Sequence, residues 1–137
     1  MEGALQTLDA FLNGWAETPD GNKRAFHRLK SRLAADGDVV LDFQPREGVT
    51  YSLRASHRRQ TERPLFVMVD VIEDDPRWLS VCFYGDSISD PDEKGDFVPK
   101  GLLGEDAVCF DLEAYDEEDL GYLEGRIDEA RLWASRG

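Results

Sequence analysis

The chain has 137 residues, 41% of them apolar and 33% charged, and a net charge of −13. It can bury one core without disulfide or metal staples and is too apolar for wholesale disorder, while its acidity disfavours nucleic acid, whose phosphates need a basic surface. The charge is uneven: residues 1–65 carry 10 Lys/Arg against 9 Asp/Glu, whereas residues 66–137 carry 6 against 20. Met1-Glu2-Gly3 lacks the basic opening of a secretory signal. No apolar run approaches the ~20 residues of a membrane helix. A soluble, cytoplasmic protein without a membrane partner is expected.

Residues 4–16 place Leu5, Leu8, Leu12 and Trp15 at steps of three and four with Phe11 beside them, which predicts an amphipathic helix. ETPDGN breaks it. A second helix is predicted over 22–35, with Asn22 as N-cap and Gly37 as its stop. Phe26, Leu29 and Leu33 face inward there, and Arg24, Arg28 and Arg32 form a basic stripe. From residue 38 the period becomes two. VVLDF (39–43) and VTYSLRA (49–55) read as a hairpin with one buried face. PLFVMVDVI (64–72) is almost continuously apolar, as in a central strand covered on both faces. WLSVCFY (78–84) and AVCFDLE (107–113) are the fourth and fifth strands, separated by a loop over 85–106. A closing helix runs from about 116 to 135, with acids in its first turns, as the helix dipole favours. Leu120, Leu123, Ile127, Ala130 and Ala134 lie on one of its faces. Gly121 and Gly125 weaken it by ~1 kcal/mol each, and their spacing suggests close approach to the sheet.

The order α-α-β-β-β-β-β-α, with hairpin-length links, predicts a single α+β domain over residues 1–137. In it, a mainly antiparallel five-stranded sheet carries two N-terminal helices and a C-terminal helix on one face. This arrangement, with GVTYSLRA (48–55) on a strand, resembles the YdhG-like group of small bacterial domains. The resemblance is one of architecture over most of the chain, and no functional residue follows from it.

Three features could carry function. SDPDEKGDFVPKG (89–101) is rich in carboxylates, but as a calcium loop counted from Asp90 it puts Lys94 and Gly101 where oxygen ligands belong. No metal is expected. That segment and the residues just after it carry Phe97, Lys100, Leu102 and Leu103, whose apolar members either fold back as a lid or form an exposed patch for a partner. The lid is the expected form, because long loops without their own packing are unusual in compact domains. RASHRRQTER (54–63) gathers Arg54, His57, Arg58, Arg59 and Arg63 at a strand-connecting tip. These can hold an acidic peptide through forked guanidinium groups, or can offset the chain's own acids.

Cys82 and Cys109 lie in apolar runs and are expected as buried free thiols. A disulfide between neighbouring strands is the alternative, which a reducing cytoplasm disfavours. No phosphate loop, zinc spacing or nucleophile elbow is present, and no cofactor is implied. The expected function is a non-catalytic domain that binds another protein or an acidic peptide through the arginine tip, the 97–103 segment, or both. The alternatives are a small enzyme or ligand-binding domain with a pocket under 85–106, and an acidic decoy that mimics nucleic acid.

Overall fold

The computed structural model describes the backbone from residue 3 and side chains from residue 7 through residue 137. The elements are α1 (Gly3–Gly14), α2 (Asn22–Ala34), β1 (Val39–Arg46), β2 (Thr50–His57), β3 (Val67–Ile72), β4 (Trp78–Tyr84), β5 (Asp96–Leu102), β6 (Glu105–Leu112) and α3 (Glu117–Ser135). The six strands form one antiparallel sheet in the order β1-β2-β3-β4-β6-β5.

The expected five-stranded sheet therefore gains a sixth strand, β5, inside the segment read as a loop. Its sequence hides it. Pro99, Lys100 and Gly101 break the alternation, and the pairing with β6 is irregular between Val98 and Leu102. The β5–β6 turn, Leu103-Gly104, has φ of +51° and +88°. A two-residue hairpin turn of the mirror-image type requires positive φ at both positions.

One core joins the three helices to a single sheet face. Leu8, Leu12 and Trp15 of α1, Phe26, Leu29 and Leu33 of α2, and Leu120, Leu123 and Ile127 of α3 pack on alternate strand residues such as Leu53, Val69, Val81 and Phe110. Leu5 lies outside the described side chains. Strand β3 corrects the expectation of a strand covered on both faces: Val67, Val69 and Val71 are buried, but Met68, Asp70 and Ile72 only half so. The apolar run is continuous because Leu65 and Phe66 are buried just before the strand and because Met68 and Ile72 put apolar side chains on its half-buried face.

Both ends of α2 depart from expectation. Gly21 caps α2 at φ +78°, and Asn22 is buried inside the helix. Its Nδ2 donates to the carbonyls of Arg77 and Glu113, both at 2.9 Å, tying α2 to two strand ends. Helix α2 ends at Ala34, before Gly37. At α3, the Asp116 carboxylate accepts from the Glu118 and Asp119 amides, satisfying two orphan donors. A Cβ on Gly121 or Gly125 would meet nothing within 4 Å, so these glycines do not serve a close approach to the sheet.

The basic stripe of α2 is turned onto α3. Arg28 donates to Glu124 (3.1 and 2.9 Å), Glu117 (2.9 Å) and the Tyr115 hydroxyl (3.0 Å). Arg32 grips Asp128, and Arg24 lies over the Tyr115 ring at 4.3 Å.

Candidate functional site

The residues of the arginine tip do not form one cationic face. Arg54 points from β2 onto the sheet face without helices, where its Nε donates to Ser52 Oγ at 3.2 Å. His57 is 7% exposed, and its Nδ1 accepts from the Arg59 amide at 3.1 Å. That contact is structural, fixing the turn that follows β2. Arg58 is exposed and only 3.8 Å from Asp38, while the Arg59 side chain has no bonded partner among the described residues. Arg63 is drawn inward. It donates to Asp86 at 2.7 and 3.1 Å and to Glu105 at 2.7 and 3.2 Å, and it covers the rings of Tyr84 (4.3 Å) and Trp133 (5.2 Å). Its hydrogen bond with Arg63 holds the Asp86 carboxyl below the usual range. Both forks of Arg63 are thus filled from within the chain.

The acidic stretch is organised around Asp90 and docks on α3. Asp90 accepts from the Lys94 amide (3.1 Å), the Gly95 amide (2.9 Å) and the Tyr122 hydroxyl. Burial pushes its carboxyl up, but these bonds outweigh burial and hold it low. Ser89 bonds Glu129 (amide 3.1 Å, hydroxyl 2.6 Å), and Lys94 meets Asp119 at 3.3 Å. Among the described residues no group of His, Cys, Asp and Glu is placed to hold a metal ion.

The 97–103 segment splits between the two expected forms. Leu102 is fully buried with Leu65, Tyr84 and Ala107 in a small separate core, as a lid requires. Phe97 and Leu103 are 63% and 53% exposed. Phe97 pairs with Val108 across the hairpin and lines a groove of about 530 Å³ with Arg63, Asp86, Lys100, Glu105 and Asp106. The Lys100 amide donates to Asp106 Oδ1 at 3.0 Å, fixing the irregular part of β5. Leu103 instead borders a separate pocket of about 100 Å³ with Arg54 and Pro64. The structure therefore unites Arg63, Phe97 and Lys100 in one place and Arg54 with Leu103 in another. His57, Arg58 and Arg59 line neither. Sequence reading missed Asp86, Glu105, Asp106 and Val108. The signal was available in LLGE, whose glycine suits a tight hairpin.

Cys82 and Cys109 are directly opposed on β4 and β6 and joined by a disulfide, which corrects the expectation of free thiols. A reducing cytoplasm disfavours such a bridge, so the disulfide weighs against the expected cytoplasmic location. Register places the bridge on the face without helices, in a row with Met68 and Asp96. Asp111 is two residues along β6 on the same face. Burial first, then the nearby Asp96 and Glu113, push its carboxyl up. Asp70, on the same face of β3, is also pushed up by burial, against a hydrogen bond from Ser52 and the charges of Arg54 and Arg46. Its Oδ1 has no partner.

Another cavity, of about 330 Å³, lies between α1 and β1–β2. Its aromatic wall already surrounds a cation of the chain itself. The Arg77 guanidinium sits 5.0–5.7 Å from the rings of Tyr51, Phe11 and Trp15, held by Glu73 at 2.9 Å.

No helix among the described residues is long and apolar enough to cross a membrane. Comparison with protein-family models, with curated proteins and with solved structures finds no match to the chain.

Proposed function

We propose that this is a non-catalytic domain that binds a segment of another protein in the groove beside β5. The observation that carries the proposal is Phe97, a large aromatic 63% exposed on an edge strand and set in the wall of a groove. Single exposed apolar residues are ordinary. One that overhangs a concavity with Val108 beside it offers a partner both contact area and shape. The lining supplies no hydroxyl, thiol or imidazole, which supports binding over covalent chemistry.

Charge selects the partner. Asp86, Glu105 and Asp106 outnumber Arg63 and Lys100 in the groove, and Arg63 is already neutralised. A segment with apolar and basic side chains fits this surface better than the acidic peptide expected from the arginine tip. Pro99 and the irregular register of β5 discourage strand addition, so recognition falls to side chains. The decoy reading has less support, because Glu105, Glu117, Asp119, Glu124, Asp128 and Glu129 each pair with the chain's own Arg or Lys.

The test is an array of short apolar-basic and apolar-acidic peptides. The basic set should bind and should weaken at least ~5-fold in Phe97→Ser, whose stability stays within about 0.5 kcal/mol as for other surface changes. Reversing Arg58 and Arg59 to Glu should leave that binding intact. Preference for the acidic set, or indifference to Phe97→Ser, overturns the proposal.

A further inference from the structure

The Cys82–Cys109 bridge closes a loop of 27 residues in sequence separation. That loop holds the whole segment proposed above as the binding element, from Gly85 through β5 to the turn at Leu103-Gly104. Strand β5 pairs with no strand but β6, and β6 reaches the rest of the sheet only through β4, the pairing the bridge crosses. The acidic connection before β5 is tied to α3 by Ser89–Glu129, Lys94–Asp119 and the Tyr122 hydroxyl on Asp90, and Arg63 holds Asp86. Leu102 and Val98 give the segment one apolar foothold on the small core, and Ile88 gives a second on the main core.

The bridge is also reachable. It lies on the face that carries no helix. Cys82 is 6% exposed, with Ser80 Oγ 3.7 Å from its sulfur, while Cys109 is half-buried. Cys109 is the more exposed residue of the two, although it packs against the small core of Leu65, Tyr84, Leu102 and Ala107, and is therefore the end of the bridge assigned to attack. Its surroundings are anionic: Asp96 is directly opposite it and Asp111 is two positions along its own strand. Burial first, and then the charge of Asp96, push the Asp111 carboxyl up.

We propose that the Cys82–Cys109 bridge is a thiol-exchange site, opened by small thiols without a carboxylate, that sets how firmly the Phe97-bearing segment is held. The regulatory consequence rests on the binding proposal; the exchange chemistry does not. In the first step a thiolate RS⁻ attacks Cys109 Sγ. The Sγ–Sγ bond breaks, and Cys82 leaves as a thiolate that takes a proton from water. Another thiolate then attacks the reagent's sulfur in the mixed disulfide, releasing Cys109 and RSSR. The sum is bridge plus two RSH giving two cysteine thiols plus RSSR, with the low-molecular-weight thiol as reductant. A thiol carrying its own carboxylate meets additional repulsion from Asp96 and Asp111.

The experiment uses the air-oxidised full chain at low salt with 2-mercaptoethanol and 3-mercaptopropionate at matched thiolate concentration. Freed cysteines are counted by alkylation and intact mass. Mercaptoethanol should open the bridge several-fold faster, and the gap should narrow in 1 M salt, where screening reaches ~3 Å. It should narrow again in Asp111→Asn. On opening, amide exchange over 96–102 should rise at least ~10-fold while the amides of β2 stay put. A Cys82→Ala/Cys109→Ala variant should exchange fast with or without thiol. If that variant does not fold, the reduced wild-type chain gives the same reading. Two free thiols in the air-oxidised protein, equal rates for the two thiols, or unchanged exchange over 96–102 would each overturn the proposal. A loosened segment in a protein that binds none of the peptides supports the exchange site and defeats only the binding proposal.

Discussion

Val69 and Asp70 are consecutive on β3, yet Val69 is fully buried among helix side chains while Asp70 points to the side of the sheet that no helix covers. The same contrast runs across the sheet. Toward the helices, each strand except β5 gives a large apolar residue to one continuous core. Away from them, register lines up Gln44, Ser52, Asp70, Ser80 and Asp111 in one polar row, with the disulfide in the next. The difference separates stability from chemistry within one set of strands. The covered face holds the fold together, and the open face is where charge, sulfur and unpartnered oxygen are found.

Breaking the covered face should have the largest effect. Leu53 is fully buried in the middle of β2, and Leu53→Ala should cost ~2–5 kcal/mol, the range for removing a buried leucine. Chemical denaturation checks it, and a loss below about 1 kcal/mol would mean that the covered face is not the main source of stability. The roof over that face can be strengthened instead. Gly121 is exposed on α3 with open space around it, so Gly121→Ala should stabilise by up to ~1 kcal/mol through helix propensity alone. A rise in Tm without any change in peptide binding is the expected result. A fall would show that a neighbour of Gly121 resists even a methyl group.

How much of this was legible in the sequence follows from the same division. The covered face was readable because burial leaves a pattern: steps of three and four gave α1, α2 and α3, alternation gave β1 and β2, and apolar runs gave β3, β4 and β6. Five residues assigned to the inner side of α3 are the five that are buried. Strand β5 was not readable, since an edge strand held by one neighbour needs no alternation and tolerates Pro99. The basic tip misled for another reason. Local spacing groups Arg54, Arg58, Arg59 and Arg63, but the partners that decide their roles, Asp86 and Glu105 for Arg63, are 23 and 42 residues away. The two cysteines, 27 apart, met in the same way through strand pairing that no local pattern encodes.

The open face gives the smallest effect and one of opposite sign to Leu53→Ala. Burial raises the Asp70 carboxyl above its ordinary value, so the folded chain takes up a proton there more readily than the unfolded chain does. At neutral pH the ionised group opposes folding. As pH falls through the raised range, the folded state binds the proton first and that opposition is relieved. Asp86 and Asp90 act in reverse. Both are held low, so their contribution is present above the ordinary carboxylate range and is lost as pH falls through their folded values. Asp70→Asn removes the charge while keeping a polar side chain that can bond Ser52. It should therefore stabilise at pH 7, because the charge that burial disfavours is gone. The gain should shrink as pH drops into the range where Asp70 is itself protonated. Denaturation midpoints of the two proteins at pH 7 and pH 4 measure this. A gain that stays constant with pH would assign the effect to packing, and a loss at pH 7 would mean that Arg54 and Arg46 hold Asp70 more firmly than burial disfavours it.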